Sequence, residues 1–298
     1  RVRSATLFSR SWVERSSATD IFSQASILSL YDPDRAQTTL FRDETRPWTT
    51  FVGEIRTALD GVRSGQGAGL YFLTETITSP SLAEQLKGIL TEFPQAKWHQ
   101  YEPVNNDNAR AGAMMAFGQP VNTIYDFSKA DRILSLDADF LAAMPGTLRY
   151  ARDFGARRRV AEGKNAMNRL YVIETTPTTT GASADHHWAI RPSELITAAT
   201  TLASQVGVGG LSSTASTSGL DSIARDLQQH QGKSIVIAGR EAPPAVHALA
   251  HAMNGALGNV GQTVFYTDPI EANSVDQTQS LRELVGDIDA GRVETLVI

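Results

Sequence analysis

At 298 residues, with 41% hydrophobic and 20% charged side chains, the chain is long enough for two modules and apolar enough to bury a core. A formal charge of −5 and an isoelectric point near 5.7 argue against a nucleic-acid backbone as partner, which requires a basic face. The lack of any cysteine excludes disulfides, thiol nucleophiles and thiolate-held iron–sulfur clusters within these residues.

Residues 1–48 carry turn chemistry, as in Asp32-Pro33-Asp34 and Arg46-Pro47, without sustained periodicity, and read as an extended N-terminal arm wrapping a body. A first α/β module is expected over 49–205. It begins with a helical face of Phe51, Ile55, Leu59 and Val62. A short apolar strand follows at Leu70–Leu73. Ser79 can then cap a helix that has Pro80 at its first position and a stripe of Leu82, Leu86, Ile89, Leu90 and Phe93. Next come a strand at Ile133–Leu136, a helix from Pro145 to Phe154 stopped by Gly155, and a strand at Leu170–Ile173. A helix capped by Ser193 contains Leu195, Ala198, Ala199 and Leu202.

Residues 206–218 are rich in Gly, Ser and Thr and read as a linker. The second module, 219–298, opens with a helix through Leu220, Ile223 and Leu227. A strand at Ile235–Ala238, a helix from Pro244, a strand at Val264–Tyr266, a helix around Leu281–Ile288 and a last strand at Leu296–Ile298 complete it. Strands apolar on both faces, alternating with helices, indicate parallel sheets covered by helices. No apolar run is long enough for a helical membrane span. The chain starts on Arg1 rather than methionine and stops on an apolar strand, so it is expected to be a piece of a longer protein.

Few constellations carry chemistry. Asp185-His186-His187 has metal-ligand residue types, but consecutive residues of an extended segment point to opposite faces. His247 and His251 have the i, i+4 spacing of a zinc grip, yet Ala248 stands where a zinc peptidase needs its glutamate. Asp137-Ala138-Asp139 follows a strand, where open α/β sheets bind ligands. Gly239–Pro244 joins a strand to a helix N-terminus that could cradle an anion, without the glycine spacing of a dinucleotide fingerprint. Arg149, Arg152, Arg157, Arg158 and Arg159 form a basic cluster, read as a solvated helix end rather than a phosphate or protein docking site.

One stretch is more specific. Residues 174–194, ETTPTTTGASADHHWAIRPSE, resemble the segment of molybdopterin oxidoreductases that runs Asp-Pro-Arg, Thr-x-Thr-Ala, Ala-Asp, then Ile-Arg-Pro-Gly-Thr-Asp. Glu174 falls on the family's aspartate and Thr178 and Thr180 on its threonines. Ala184-Asp185 and Ile190-Arg191-Pro192 fall on their counterparts, with Ser193 next. The strand at Ile133–Leu136 resembles the one leading to the family's Gly-x-Asn-Pro, and residues 247–264 resemble its helix ending in Leu-Gly-Asn-x-Gly. The departures are as specific: Asp137-Ala138-Asp139-Phe140 replaces Gly-x-Asn-Pro, Thr176 replaces an arginine, and Ser193-Glu194-Leu195 replaces Gly-Thr-Asp. Together with Ser29–Arg35 and VHALAHAMN at 246–254, the variant wording resembles the large iron–sulfur subunit of bacterial alternative complex III.

That resemblance implies an α/β fold of Rossmann-like modules, like the central domains of the formate dehydrogenase/DMSO reductase fold. It implies a cofactor-less region whose former pterin-binding positions are Asp137, Asp139, Glu174, Thr178, Thr180, Asp185, Arg191 and Ser193. Catalytic and metal-binding residues are not expected here. Iron–sulfur clusters would belong to a ferredoxin-like region of the parent beyond this fragment. Partners would be that region and other subunits of a quinol-oxidising respiratory complex, with no nucleic acid, on the periplasmic face of the bacterial inner membrane. The alternatives are an active molybdenum or tungsten bis-pterin oxidoreductase acting on a small oxyanion or sulfur compound, and a plain nucleotide-binding module.

Overall fold

The computed structural model describes residues 19–160, 166–211 and 219–298. The first part of the expected arm, 1–18, and the end of the expected linker, 212–218, lie outside the described residues. The described chain divides into two units. One holds Asn106–Pro269; the other joins Thr19–Asn105 to Ile270–Ile298. Among the described residues, no helix is long and apolar enough to cross a membrane.

The smaller unit opens with α1 (Ile21–Ala25), whose Asp20 cap accepts from the Ser23 N–H, and a 3-10 turn over Ser26–Leu30. An antiparallel hairpin of β1 (Thr39–Phe41) and β2 (Glu44–Arg46) leads to α2 (Trp48–Arg63). This stretch does not bury itself against a body as the arm reading expected. Neither α1 nor the 3-10 turn buries a residue, and α2 buries only Val62. Then come β3 (Leu70–Thr74), α3 (Pro80–Glu92) and β4 (Lys97–Gln100), with Ser79 capping α3 through the Leu82 N–H as the sequence indicates.

The larger unit runs α4 (Asp107–Phe117), β5 (Asn122–Tyr125), β6 (Arg132–Leu136), α5 (Thr147–Arg157), β7 (Arg169–Glu174), the single turn α6 (Thr179–Ala182) and β8 (His186–Ala189). It continues with α7 (Leu195–Gln205), α8 (Leu220–Gln228), β9 (Ser234–Ala238), α9 (Pro244–Ala256) and β10 (Val264–Thr267). The sheet order is β8-β7-β6-β9, all parallel, while β5 and β10 form a separate antiparallel pair. Alternate residues of the central strands fill two cores. Leu134, Leu136, Tyr171, Ile173 and Val236 meet α7, α8 and α9 on one face. Ile133, Leu170, Val172, Ile235 and Ile237 meet Phe127, Phe140, Tyr150 and Phe154 on the other. Burial on both faces is why these strands read as unbroken apolar runs.

Back in the smaller unit, α10 (Gln277–Asp289) and β11 (Thr295–Val297) close the chain, and β11 pairs in parallel with β3. The sheets therefore divide the chain differently from the boundaries at 49–205 and 219–298. β9 completes the sheet begun by β6, and β11 joins the sheet begun by β3. Two local readings also change. Helix α5 passes through Gly155 to Arg157, with Arg158 as its right-handed cap, so Gly155 is not a stop. Pro192–Glu194 form a 3-10 turn before α7, so Ser193 caps nothing; instead Glu194 accepts from the Arg191 N–H.

Beyond β9 the sheet edge is met by side chains. The buried Asn254 amide donates to the Val236 carbonyl (2.7 Å) and accepts from the Val236 N–H (3.0 Å). Asn259 accepts from the N–H and hydroxyl of Ser234, and the Thr263 hydroxyl donates to its carbonyl. Edge groups left bare are a liability, and here asparagines stand in for a strand. Asn254→Ala should cost about 2 kcal/mol, because it strands a buried N–H and a buried carbonyl. Urea unfolding checks this; an unchanged midpoint would mean that water serves the edge equally well.

Candidate functional site

In a doubly wound sheet, ligands bind beyond the strand C-termini where the strand order reverses, here between β6 and β9. The chain leaves β6 at Asp137 in left-handed backbone, φ 56°. Its carboxylate accepts from the Thr175 N–H at 2.8 Å and from the Thr175 hydroxyl at 2.9 Å. Two residues on, Asp139 accepts from the N–H (3.0 Å) and hydroxyl (2.7 Å) of Thr180. Glu174, at the end of β7 and only 3% exposed, accepts from the N–H and hydroxyl of Thr178 and lies 2.9 Å from His187 Nε2. A Cβ on Gly181 would sit 1.9 Å from Glu174 Oε1, so only glycine lets the loop lie this close. Three carboxylates thus stitch residues 175–181 onto the strand ends.

The crevice itself is filled by backbone. The Gly239 N–H donates to the Leu136 carbonyl, and a Cβ on Gly239 would stand 1.7 Å from the Asp137 carbonyl oxygen. Arg240 reaches across to the Ala143 carbonyl. The N-terminus of α9 is a poor anion cradle, because Pro243 and Pro244 have no N–H and the Val246 N–H is taken by the Pro243 carbonyl. Among the described residues, no lysine or arginine pairs with Asp137, Asp139 or Glu174. A pyranopterin dinucleotide brings phosphates, and here they would meet carboxylates whose donors are already used. The residues present do not fit that group. The geometry is that of a structural lock: Asp139→Ala should loosen the 175–184 loop by about 1–2 kcal/mol, seen as faster amide exchange at Thr180 and Gly181. Unchanged exchange there would show that the loop holds without it.

Of the eight positions named from the sequence, five come together: Asp137, Asp139, Glu174, Thr178 and Thr180. The other three do not. Asp185 lies at the opposite end of the sheet, roughly 15 Å along the strand, where it accepts from the Leu170 N–H and from Arg158. Burial pushes its carboxyl up, but Arg158 and the Leu170 N–H outweigh that and leave it below its usual range. Arg191 and Ser193 are exposed beyond β8. The arginine cluster is largely spent within the fold, Arg149 and Arg152 on Asp153, Arg157 on Asp131 and Arg158 on Asp185.

His186 and His187 point apart on β8, His186 stacking on Tyr171 and His187 reaching Glu174. His247 and His251 are packed inside α9. His247 crowds Gly112 of α4, where a Cβ would come within 2.3 Å of its own, and His251 contacts the Tyr266 hydroxyl and the Phe117 ring. Among the described residues, no group of three or more metal-ligating side chains is placed to hold an ion. Sequence reasoning missed Thr175 and Gly181, and it singled out His187 and Gly239 only as a metal-ligand type and an anion turn, not as neighbours of Glu174 and Asp137. The contacts of Thr175 and Gly239 with Asp137 join residues far apart in the chain, which no local spacing marks.

No family model matches the sequence, and no curated protein does. Solved structures do match. Acetylene hydratase from Pelobacter acetylenicus is similar over 85% of this chain and 39% of its own, with a TM-score of 0.54 and 11% identity. The formyltransferase/hydrolase complex FhcABCD from Methylorubrum extorquens, in complex with methylofuran, is similar over 72% of this chain and 57% of its own, with a TM-score of 0.48 and 16% identity. The chain spans less than two thirds of either. The likeness to acetylene hydratase shows the fold alone: an α/β architecture of Rossmann-like parallel-sheet modules, resembling the central domains of the formate dehydrogenase/DMSO reductase fold.

Proposed function

We propose that this chain is a scaffold and docking region that has kept an oxidoreductase fold without its cofactor, within an electron-transfer subunit of a quinol-oxidising respiratory complex. The observation that carries this reading is the use made of the strand ends. Asp137, Asp139 and Glu174 hold the chain's own loop where a phosphate-bearing cofactor would need donors. The sequence resemblance supports the choice of family. Asp137 stands where that family carries glycine, and its left-handed backbone is the conformation glycine adopts most readily. In this reading the clusters lie in a ferredoxin-like region of the parent, on the periplasmic face, as in alternative complex III.

Replacing Asp137 and Asp139 together by alanine in the parent should lower the yield of assembled complex while turnover per assembled complex persists. Intact assembly with lost turnover would overturn the reading. Guanosine diphosphate supplied to the chain at a hundredfold excess over micromolar should leave its thermal midpoint unchanged, whereas a bound nucleotide would add about 2–3 kcal/mol of stability.

A further inference from the structure

Helix α9 turns Val246, His247, Ala250, Met253 and Asn254 inward and carries small residues on its outer strip. A groove of 480 Å³ runs along that strip within the larger unit. Met115 and Phe117 of α4 and Ile196 of α7 wall it, and Ala245, Ala248 and Ala252 of α9 form its floor. Among the described residues, no lysine, arginine, aspartate or glutamate lines it. Its two polar side chains are Thr200 and His251. The Thr200 hydroxyl is spent on the Ile196 carbonyl at 2.8 Å, which leaves His251.

The His251 ring is held in a fixed pose. Phe117 packs against it with ring centres 5.0 Å apart, and its Nδ1 lies 3.1 Å from the Tyr266 hydroxyl. That hydroxyl has no other partner among the described residues, and burial pushes its pKa up, so it keeps its proton and donates it to Nδ1. Burial also keeps the imidazole neutral, its pKa lowered from 6.5 to about 4. A neutral ring that accepts at Nδ1 carries its proton on Nε2. This N–H has no partner among the described residues, yet it is not shut in as the Nε2 atoms of His99 and His247 are. The groove is therefore apolar with one aimed hydrogen-bond donor, the make-up of a small-molecule site, and its volume lies in the range of such sites.

We infer that this groove binds a neutral, medium-chain acyl ester whose carbonyl oxygen accepts from His251 Nε2. An anion is disfavoured, because a carboxylate would lose its water here without gaining a cation. A partner helix is disfavoured by size. From Ala245 to Ala252 the floor is roughly 10 Å long, and at that length the volume leaves about half the cross-section of a helix with its side chains. An extended chain of about eight carbons spans the same distance.

The chain labelled with ¹³C at its methionine methyls, titrated with methyl octanoate, tests this. A saturable shift of the Met115 methyl is expected, with Met144, packed in the core on the other face of the sheet, unmoved. No saturable change at Met115 would overturn the inference. Octane and octanoate should each bind about tenfold more weakly than the ester, the one lacking the acceptor and the other carrying a charge. Equal binding of either would overturn it as well. His251→Phe should weaken the ester about tenfold and leave octane unchanged, which a merely structural role would not do. Ala248→Leu, which fills the floor, should abolish the shift. Thermal midpoints check that both variants fold, and the three ligands on the unsubstituted chain decide the matter if they do not. No strand-end carboxylate enters this site, so the inference and the scaffold reading can fail separately.

Discussion

Gly239→Val is expected to destabilise the larger unit by about 3 kcal/mol or more. The reason is steric. A Cβ at this position would lie 1.7 Å from the Asp137 carbonyl oxygen and 3.1 Å from the Ala138 Cα, both backbone atoms that cannot swing away. The loops leaving β6 and β9 would have to part, breaking the bond from the Gly239 N–H to the Leu136 carbonyl. Separating them also shifts Asp137, and with it the contacts to Thr175. Thermal or urea unfolding of the variant measures the cost. A loss below 1 kcal/mol would mean that the two loops are not pressed together as described. Gly118, by contrast, has open space around its missing Cβ, so its intolerance of a side chain arises from its left-handed backbone alone.

Acid should weaken the same unit in a defined window. Burial pushes both His247 and His251 down from 6.5 to about 4, and the backbone carbonyls of Gly239 and Ala242, which favour a protonated ring, only partly counter this at His247. The proximity of His247 lowers His251 further. Each is therefore neutral in the folded state at a pH where the unfolded chain has already taken up a proton. The unfolded state binds more protons between these limits, so the stability is fully present above about pH 6.5 and is lost as pH falls towards 4. One histidine alone accounts for about 3 kcal/mol at the lower end. Asp185 and Asp226 are held below the carboxylate range, so their contributions disappear only at lower pH, and the two windows separate. Urea unfolding at a series of pH values should show stability falling from pH 6.5, with His251→Phe flattening the fall. A flat profile down to pH 4.5 would show that water or a proton acceptor reaches these rings.

The parts of this structure that were legible in the sequence depend on near neighbours in the chain. Ile133–Leu136, Leu170–Ile173 and Ile235–Ala238 read as strands because burial on both faces removes polar residues from consecutive positions. Ser79-Pro80 read as a helix start because cap and proline act within one turn. Gly155 and Ser193 misled for the same reason in reverse. Packing of Tyr150 and Phe154 carries α5 past its glycine, and Pro192 starts a 3-10 turn before the helix. The division into units was not legible, because strand pairing joins β6 to β9 and β3 to β11 across long stretches of sequence. At the candidate site the sequence located the acidic and threonine residues. It could not show that they satisfy one another, since the bonds of Asp137 to Thr175 and of Asp139 to Thr180 need two strand ends side by side.

The claim that these strand ends lock a loop instead of holding a cofactor is tested most directly by the composition of the full parent, purified from its native host. Iron, molybdenum and tungsten are measured by mass spectrometry, and pterin by the fluorescence of its oxidised form. Abundant iron without molybdenum, tungsten or pterin is the predicted result, and it would assign electron transfer to clusters outside these residues. Molybdenum or tungsten in stoichiometric amount, together with pterin, would contradict it; the three carboxylates would then have to release Thr175, Thr178 and Thr180 to make room.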